Sequence, residues 1–260
     1  MKPSRTAWLF VALALLLAVA LVLFLPARWL LPWLQPRLHG LSLEGVHGLV
    51  WNGSAERLLG PDGRPLGRLR WQLSRRALWG DVDLDLALDG PQLTAHGRLQ
   101  RDAQGRLLWR GVTAQLDLAD WTGEAVTPLG RPQGRLDITL PRVLLQGGWP
   151  LALQGQVHWH DAAMRTRGGG VALGDLTMAL EGANGVLQGR LRDDGDGPLA
   201  ADGRWQASSL GWRLDLRLQP RSADTRLRHW LARLGPPAAD GSVQLHRRGG
   251  LAAAVPGTSP

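Results

Sequence analysis

Cysteine and tyrosine are both absent from the 260 residues. Without thiols the chain has no disulfide framework and no thiol chemistry, a composition compatible with an oxidising compartment but not diagnostic of one. Phenylalanine occurs twice, at Phe10 and Phe24, so tryptophan, thirteen in all and twelve of them after Phe24, supplies the bulky aromatic surface of everything downstream. A clustered basic footprint is missing too. The net charge is +8 and the pI near 11.4. The arginines are nevertheless dispersed, many of them one or two positions from an aspartate, and no helical basic stripe forms, which excludes a nucleic-acid partner. After residue 25 no long apolar run recurs: hydrophobic residues come in short alternating pieces broken by Gly, Asp and Pro.

What is present begins with Ala7 to Leu25, an uninterrupted apolar run preceded by Lys2 and Arg5 and followed by Pro26, Arg28, Trp29, Pro32 and Trp33. At about 1.5 Å per residue it is just long enough to cross a hydrocarbon core of roughly 30 Å. A cleaved signal has a shorter apolar region and a small-x-small site after it. Here the one nearby small-x-small triplet, Ala18-Val19-Ala20, lies inside the run, so residues 7–25 are expected to remain as a membrane anchor. Trp8, Trp29 and Trp33 suit the two interfacial belts. Lys2 and Arg5 favour a cytoplasmic amino terminus, with the large domain outside, in the periplasm of a two-membrane cell and tethered to its inner membrane.

About 230 residues follow, enough for one large domain. In Asp81–Asp89 the residues Val82, Leu84, Leu86 and Leu88 face one way, and Asp81, Asp83, Asp85 and Asp89 the other. That is the period of two of a half-buried strand. Leu69, Trp71 and Leu73 alternate with Arg68, Arg70 and Gln72, predicting an antiparallel pair with Arg68 and Arg70 near the Asp row. Such exposed pairs contribute about 0.2–1 kcal/mol each and help choose register without holding the fold. The pattern returns around Leu116, Leu136, Val157, Leu176, Leu187 and Leu214, with turn signals at Asp62-Gly63, Gly90-Pro91, Gly147-Gly148, Gly168–Gly170 and Asp193–Pro198. Helical spacing survives once: after Ser222, read as the N-cap, Leu227, Trp230, Leu231 and Leu234 share a face, and Gly235-Pro236-Pro237 stops the helix. Ser74 to Trp79 suits a short helical turn.

The expected fold is therefore mainly β. One transmembrane helix precedes an antiparallel β domain (curved sheet, sandwich or barrel-like), which carries one short C-terminal helix. The segments are an anchor with its stub in 1–30, a linker in 31–40, the β domain in 41–248 and a disordered tail in 249–260. Each apolar strand face must be covered, and one helix cannot cover them all.

No catalytic constellation can be assembled. His158 and His160 share a strand face with Asp161 next, but no third ligand stands at a metal-binding spacing. Gly168–Gly170 precedes no phosphate-binding lysine, and Ser54 lacks the frame of a hydrolase elbow. The loop Asp193–Asp196 lacks an EF-hand register. With no nucleophile–base pair, an enzyme is not expected, nor any cofactor or metal.

The stretch Gly45-Val46-His47-Gly48-Leu49-Val50-Trp51-Asn52-Gly53-Ser54-Ala55 resembles the type II secretion system protein N family (general secretion pathway protein N). The likeness continues through Leu66-Gly67-Arg68-Leu69-Arg70-Trp71-Gln72-Leu73-Ser74 and Gly155-Gln156-Val157-His158-Trp159. It returns in Gly197–Gly203 and from Leu234-Gly235 to Asp240-Gly241. Between Gln100 and Gly147 the likeness is one of layout rather than letters. The resemblance implies an inner-membrane accessory protein of the machine that exports folded proteins across the outer membrane, with other secretion components as partners. Gly45, Gly48 and Gly53 are read as punctuating a tight strand pair, with Trp51 and Trp71 buried near each other. The anchor-plus-strand design is also similar to AsmA-type periplasmic proteins, whose hydrophobic grooves give an alternative in which the sheet binds or passes lipid; that is an analogy of architecture.

Overall fold

The computed structural model describes residues 23–34, 40–102, 104–119 and 130–250. Most of the expected anchor, half of the linker and the tail from residue 251 lie outside these residues. Among the described residues no helix is long and apolar enough to cross a membrane.

Among the described residues thirteen strands form one open antiparallel sheet in which spatial order equals chain order. They are β1 (Ser42–Gly48), β2 (Asn52–Leu59), β3 (Pro65–Leu73), β4 (Asp83–Asp89), β5 (Leu93–Arg101), β6 (Leu107–Asp117) and β7 (Arg131–Gln146). There follow β8 (Trp149–Thr166), β9 (Gly169–Ala183), β10 (Val186–Asp193), β11 (Leu199–Ser208), β12 (Gly211–Pro220) and β13 (Val243–Gly250). Helix α1 (Leu31–Leu34) follows a 3-10 turn at Ala27–Trp29, and α2 (Thr225–Ala232) lies between β12 and β13. Every connection is local, as the short alternating runs and their turn signals require. Of the architectures left open by the sequence, the open sheet is the one formed. Strand β13 runs to Gly250, so Gly249 and Gly250 belong to the sheet and not to the tail.

One apolar row crosses all the strands. Val46, Ala55, Leu69, Leu88, Ala95 and Ala114 lead through Ile138, Val157 and Met178 to Leu191, Gly203, Leu216 and Leu245. The adjacent row, on the other face, runs from His47 and Ser54 through Arg70, His96, Thr113 and Gln156 to Arg190, Arg204, Asp215 and His246. The period-two reading is thus correct along these two rows, between the bulges.

The expected β3·β4 pair forms, with Arg68 opposite Asp89 and Gln72 opposite Asp85. Only Asp89 takes a partner from β3, the guanidinium of Arg70. Asp85 pairs instead with Arg98 of β5, which reaches both of its carboxylate oxygens at 2.8 and 2.9 Å. Two cationic partners flank β4, one on each side, because a central strand has two neighbours.

Alternation breaks where bulges bend the strands. In β8 the apolar face passes from Val157 and Trp159 to Ala162 and Met164, and in β9 from Val171 and Leu173 to Leu176 and Met178. Asp161 supplies the extra residue at a φ of +50°, and its N–H donates to the Asp175 carboxylate at 2.7 Å. Such a bulge swaps the faces and turns the strand. Next-nearest strands β8 and β10 approach within 8 Å, closer than the roughly 9.5 Å of two flat strand spacings. Beyond the bulge, Met164, Val171 and Leu173 join Leu199, Leu218 and Val243 and the α2 side chains Leu227, Trp230 and Leu231 in the main buried cluster. The helical reading holds with one correction. The N-cap is Asp224, whose carboxylate accepts from the Arg226 N–H at 2.8 Å, not Ser222. The turn after Ser74 is a 3-10 turn, Arg75–Trp79.

Candidate functional site

The residues that carry the family resemblance are joints of the sheet. Gly45 and Gly48 have φ of +63° and +84°, and the turn Leu49–Trp51 closes β1 onto β2. A Cβ on Gly48 would stand 2.7 Å from the Asn52 carbonyl oxygen, so the position admits only glycine without strain. Gly53 lies opposite Trp71, and Ser54 opposite Arg70. Trp51 is buried, whereas Trp71 is half-buried, so burial of both rings is met at Trp51 alone. They share one junction: the Trp71 indole N–H donates to the Val50 carbonyl at 3.1 Å and the Leu73 N–H to the Trp51 carbonyl at 2.8 Å.

Gly67 sits beside the β2–β3 register shift, and Gly155 where β7 carries one extra residue, Leu140 and Pro141 together facing it from across the ladder. Trp159 donates from its indole to the Gln133 carbonyl at 2.9 Å. Gly235 packs on Val243, and Gly241 turns the chain into β13 at a φ of +75°. The Asp240 carboxylate accepts the Ser242 N–H at 2.9 Å and faces Arg217. Hydrogen bonds from Ser242 and then the Arg217 charge hold this carboxyl below its ordinary value.

None of this converges on a reaction centre. His158 and His160 stack at 6.0 Å between ring centres. His160 stands between Asp137 at 3.3 Å and Asp175 at 3.5 Å, more enclosed than a plain exposed strand position. Among the described residues no group of three His, Cys, Asp or Glu is placed to hold a metal ion.

A feature that sequence reasoning missed is Asp193. Read only as part of a loop, it ends β10 with its carboxylate accepting the N–H groups of Ala201 at 2.7 Å and Gly195 at 2.9 Å and pairing with Arg221. Burial pushes its carboxyl up, but the hydrogen bonds from Ala201, Arg221 and Gly195 outweigh that and hold it below the ordinary range. Arg221 also donates to the Gly197 and Leu199 carbonyls, so the pair clamps the β10–β11 turn to the end of β12. The signal lay in Asp193-Asp194-Gly195, an aspartate two residues before a turn glycine.

What remains as interaction surface is of three kinds. Among the described residues the outer strands β1 and β13 each have a single neighbouring strand, leaving two ladder edges without a strand partner there. The charged face bears depressions: one of about 280 Å³ is lined by Glu181, Arg190, Arg204, Arg213 and Asp215, and another of about 540 Å³ by Arg142, Gln154, Glu181 and Gln188. The third is apolar, about 690 Å³, between Trp149, Trp205, Leu210 and Trp212 at the β11–β12 turn.

A family model described as Type II secretion system (T2SS), protein N matches residues 39–246. A curated relative, "Type II secretion system protein N" of Aeromonas hydrophila, is 28% identical over 152 residues, covering 54% of this chain and 56% of its own. The chain thus spans about half the length of that relative. No solved structure matches. With the family model covering most of the chain, and every described strand but the last four residues of β13, the protein belongs to the type II secretion system protein N family.

Proposed function

We propose that the protein is an accessory component of the type II secretion system that works by protein–protein contact in the export of folded proteins across the outer membrane. In this reading residues 7–25 span the inner membrane once, the amino terminus is cytoplasmic, and the sheet stands in the periplasm among other secretion subunits. Family membership supports the process. The observation that carries the mode of action is the pair of outer strands, β1 and β13, whose outer edges meet no strand among the described residues. Unpaired N–H and C=O groups on such an edge accept a strand from another chain. The depression on the charged face lined by Glu181, Arg190, Arg204, Arg213 and Asp215 suits a polar protein surface better than an acyl chain, and the apolar one lies at a single turn and does not run along the sheet. This argues against the groove alternative.

The chain's lack of cysteine gives a clean test. Single cysteines at His47 on β1 and Gln244 on β13, in full-length protein in its native envelope, should crosslink to other inner-membrane secretion subunits. One at Ala87 in the central strand β4 should crosslink far less. Equal or absent crosslinking at all three, together with clean isolation of the detergent-solubilised protein without partners, would refute the reading.

A further inference from the structure

Among the described residues, the large apolar side chains that stand exposed gather at one end of the meander. Leu78 and Trp79 lie between β3 and β4, Leu107 opens β6, and Leu210 and Trp212 flank the β11–β12 turn. The entering segment meets the same end, since the Val50 N–H donates to the Leu25 carbonyl at 3.0 Å and Pro26 bridges to Leu49. Turns at the opposite end, Pro61–Arg64, Gly90–Gln92, Arg167-Gly168 and Asp194–Pro198, hold charged and small residues.

The β3–β4 connection is the sharpest case. Ser74 caps it by accepting the Arg76 N–H at 3.3 Å. Gly80, at a φ of +87°, closes it with its N–H on the Ala77 carbonyl at 3.1 Å. The turn is thereby a fixed platform, yet it presents Trp79 at 82% exposure, with Leu78 beside it, to no protein surface among the described residues. Arg75 and Arg76 are exposed and form no ion pair among the described residues, unlike Arg70 and Arg98 on the neighbouring strands. Trp29 and Trp33, also exposed, follow Arg28 on the entering segment.

Rigid tryptophan beside unpaired arginine is the composition of a bilayer's headgroup layer, where an amphipathic ring sits at the boundary and a guanidinium meets lipid phosphate. We propose that the Arg75–Trp79 turn is a second, peripheral membrane contact. Trp79 and Leu78 enter the interfacial layer of an anionic bilayer while Arg75 and Arg76 bind its phosphates, which orients the sheet end-on to the membrane. The occupant follows from where the chain comes from: the apolar run 7–25 ends at the residue hydrogen-bonded to Val50, one strand connection from this turn. The proposal takes its orientation from the anchor reading of that run.

The test is nitroxide labelling of the full chain in vesicles of phosphatidylethanolamine and phosphatidylglycerol, at Leu16→Cys in the run, Leu78→Cys in the turn and Asp62→Cys at the far end. Expected is a Leu78→Cys label relaxed more by oxygen than by an aqueous nickel chelate, with the reverse at Asp62→Cys. Adding Arg75→Gln and Arg76→Gln should shift the Leu78→Cys label toward the nickel chelate. A Leu78→Cys label as open to the chelate as Asp62→Cys overturns the proposal. If the Leu16→Cys label is then still lipid-buried, the anchor reading stands alone. A water-exposed Leu16→Cys label sinks the anchor reading, whatever the turn does. Shielding of the Leu78→Cys label only when other secretion subunits are added assigns the turn to a protein partner and also overturns the proposal.

Discussion

Trp71 lies directly opposite Gly53 in the β2–β3 ladder, and its six-membered ring occupies the space that a Gly53 Cβ would fill. The indole N–H then reaches the Val50 carbonyl, fastening β3 to the β1–β2 turn. An aromatic ring covering a strand glycine restores the packing that glycine lacks. Trp212 treats Gly249 in the same way at the other edge of the sheet. Trp71→Phe keeps most of the cover and loses the hydrogen bond, so it should cost about 1 kcal/mol in urea unfolding. Gly53→Ala drives a methyl toward the ring and toward the His47 and Leu49 carbonyl oxygens, each at 2.8 Å, and should cost more, about 2–3 kcal/mol.

Gly174 marks the bend that sends the β8–β9 arm toward α2. Its φ is +91°, and a Cβ there would stand 2.7 Å from the Gly197 Cα. Gly174→Ala therefore meets both left-handed strain, about 1–2 kcal/mol, and a backbone clash. The expected outcome is a loss of at least about 2 kcal/mol with unchanged strand content by circular dichroism. An unchanged melting temperature would show that the bend is not held at this residue.

These bulges also explain what could and could not be read in advance. The Asp81–Asp89 run was legible from Asp83 onward, where β4 carries no register shift and its alternation is unbroken; Asp81 and Val82 stand before the strand. Strand β6 was legible only in its second half. Val112, Ala114 and Leu116 share a face, while Trp109, on the far side of Gly111 at a φ of +56°, reaches that face by the opposite parity. The same swap at Asp161 divides β8, so His158-Trp159-His160 gave the strand but not its continuation through Met164. Among the resemblance residues, the glycines were legible as punctuation. Their partners, Trp71 over Gly53 and Leu140 against Gly155, were not, because register between strands is set by bulges invisible to a period of two.

Two substitutions separate the energies of the two faces. Leu231 is fully buried among Leu227, Leu199 and Val243. Leu231→Ala removes core volume beneath α2 and should cost about 2–5 kcal/mol. Arg98 makes a two-pronged contact with Asp85 on the open charged face, where solvent screens the pair. Arg98→Ala should leave the melting temperature nearly unchanged. Comparable losses for the two would place structural weight on the charged face and count against its assignment as interaction surface.

Asp193 gives the fold a specific sensitivity to acid. Its folded-state carboxyl is held below the ordinary 3.8 by the Ala201 and Gly195 N–H groups and Arg221 acting against burial, so folding favours the charged form. A carboxyl lowered on folding contributes its stability fully above the unfolded value. That contribution is lost as pH falls through the folded value. Asp102 and Asp240 are lowered as well and add to the acid limb of the native chain, so the informative quantity is the difference between native and variant. Asp193→Asn should be less stable at neutral pH, and the gap should close as the medium is taken below the ordinary carboxylate range. Melting temperatures of both chains across that range are the measurement. A gap independent of pH would mean that the Asp193 side chain holds the β10–β11 turn by shape and neutral hydrogen bonds, with its charge and that of Arg221 adding nothing.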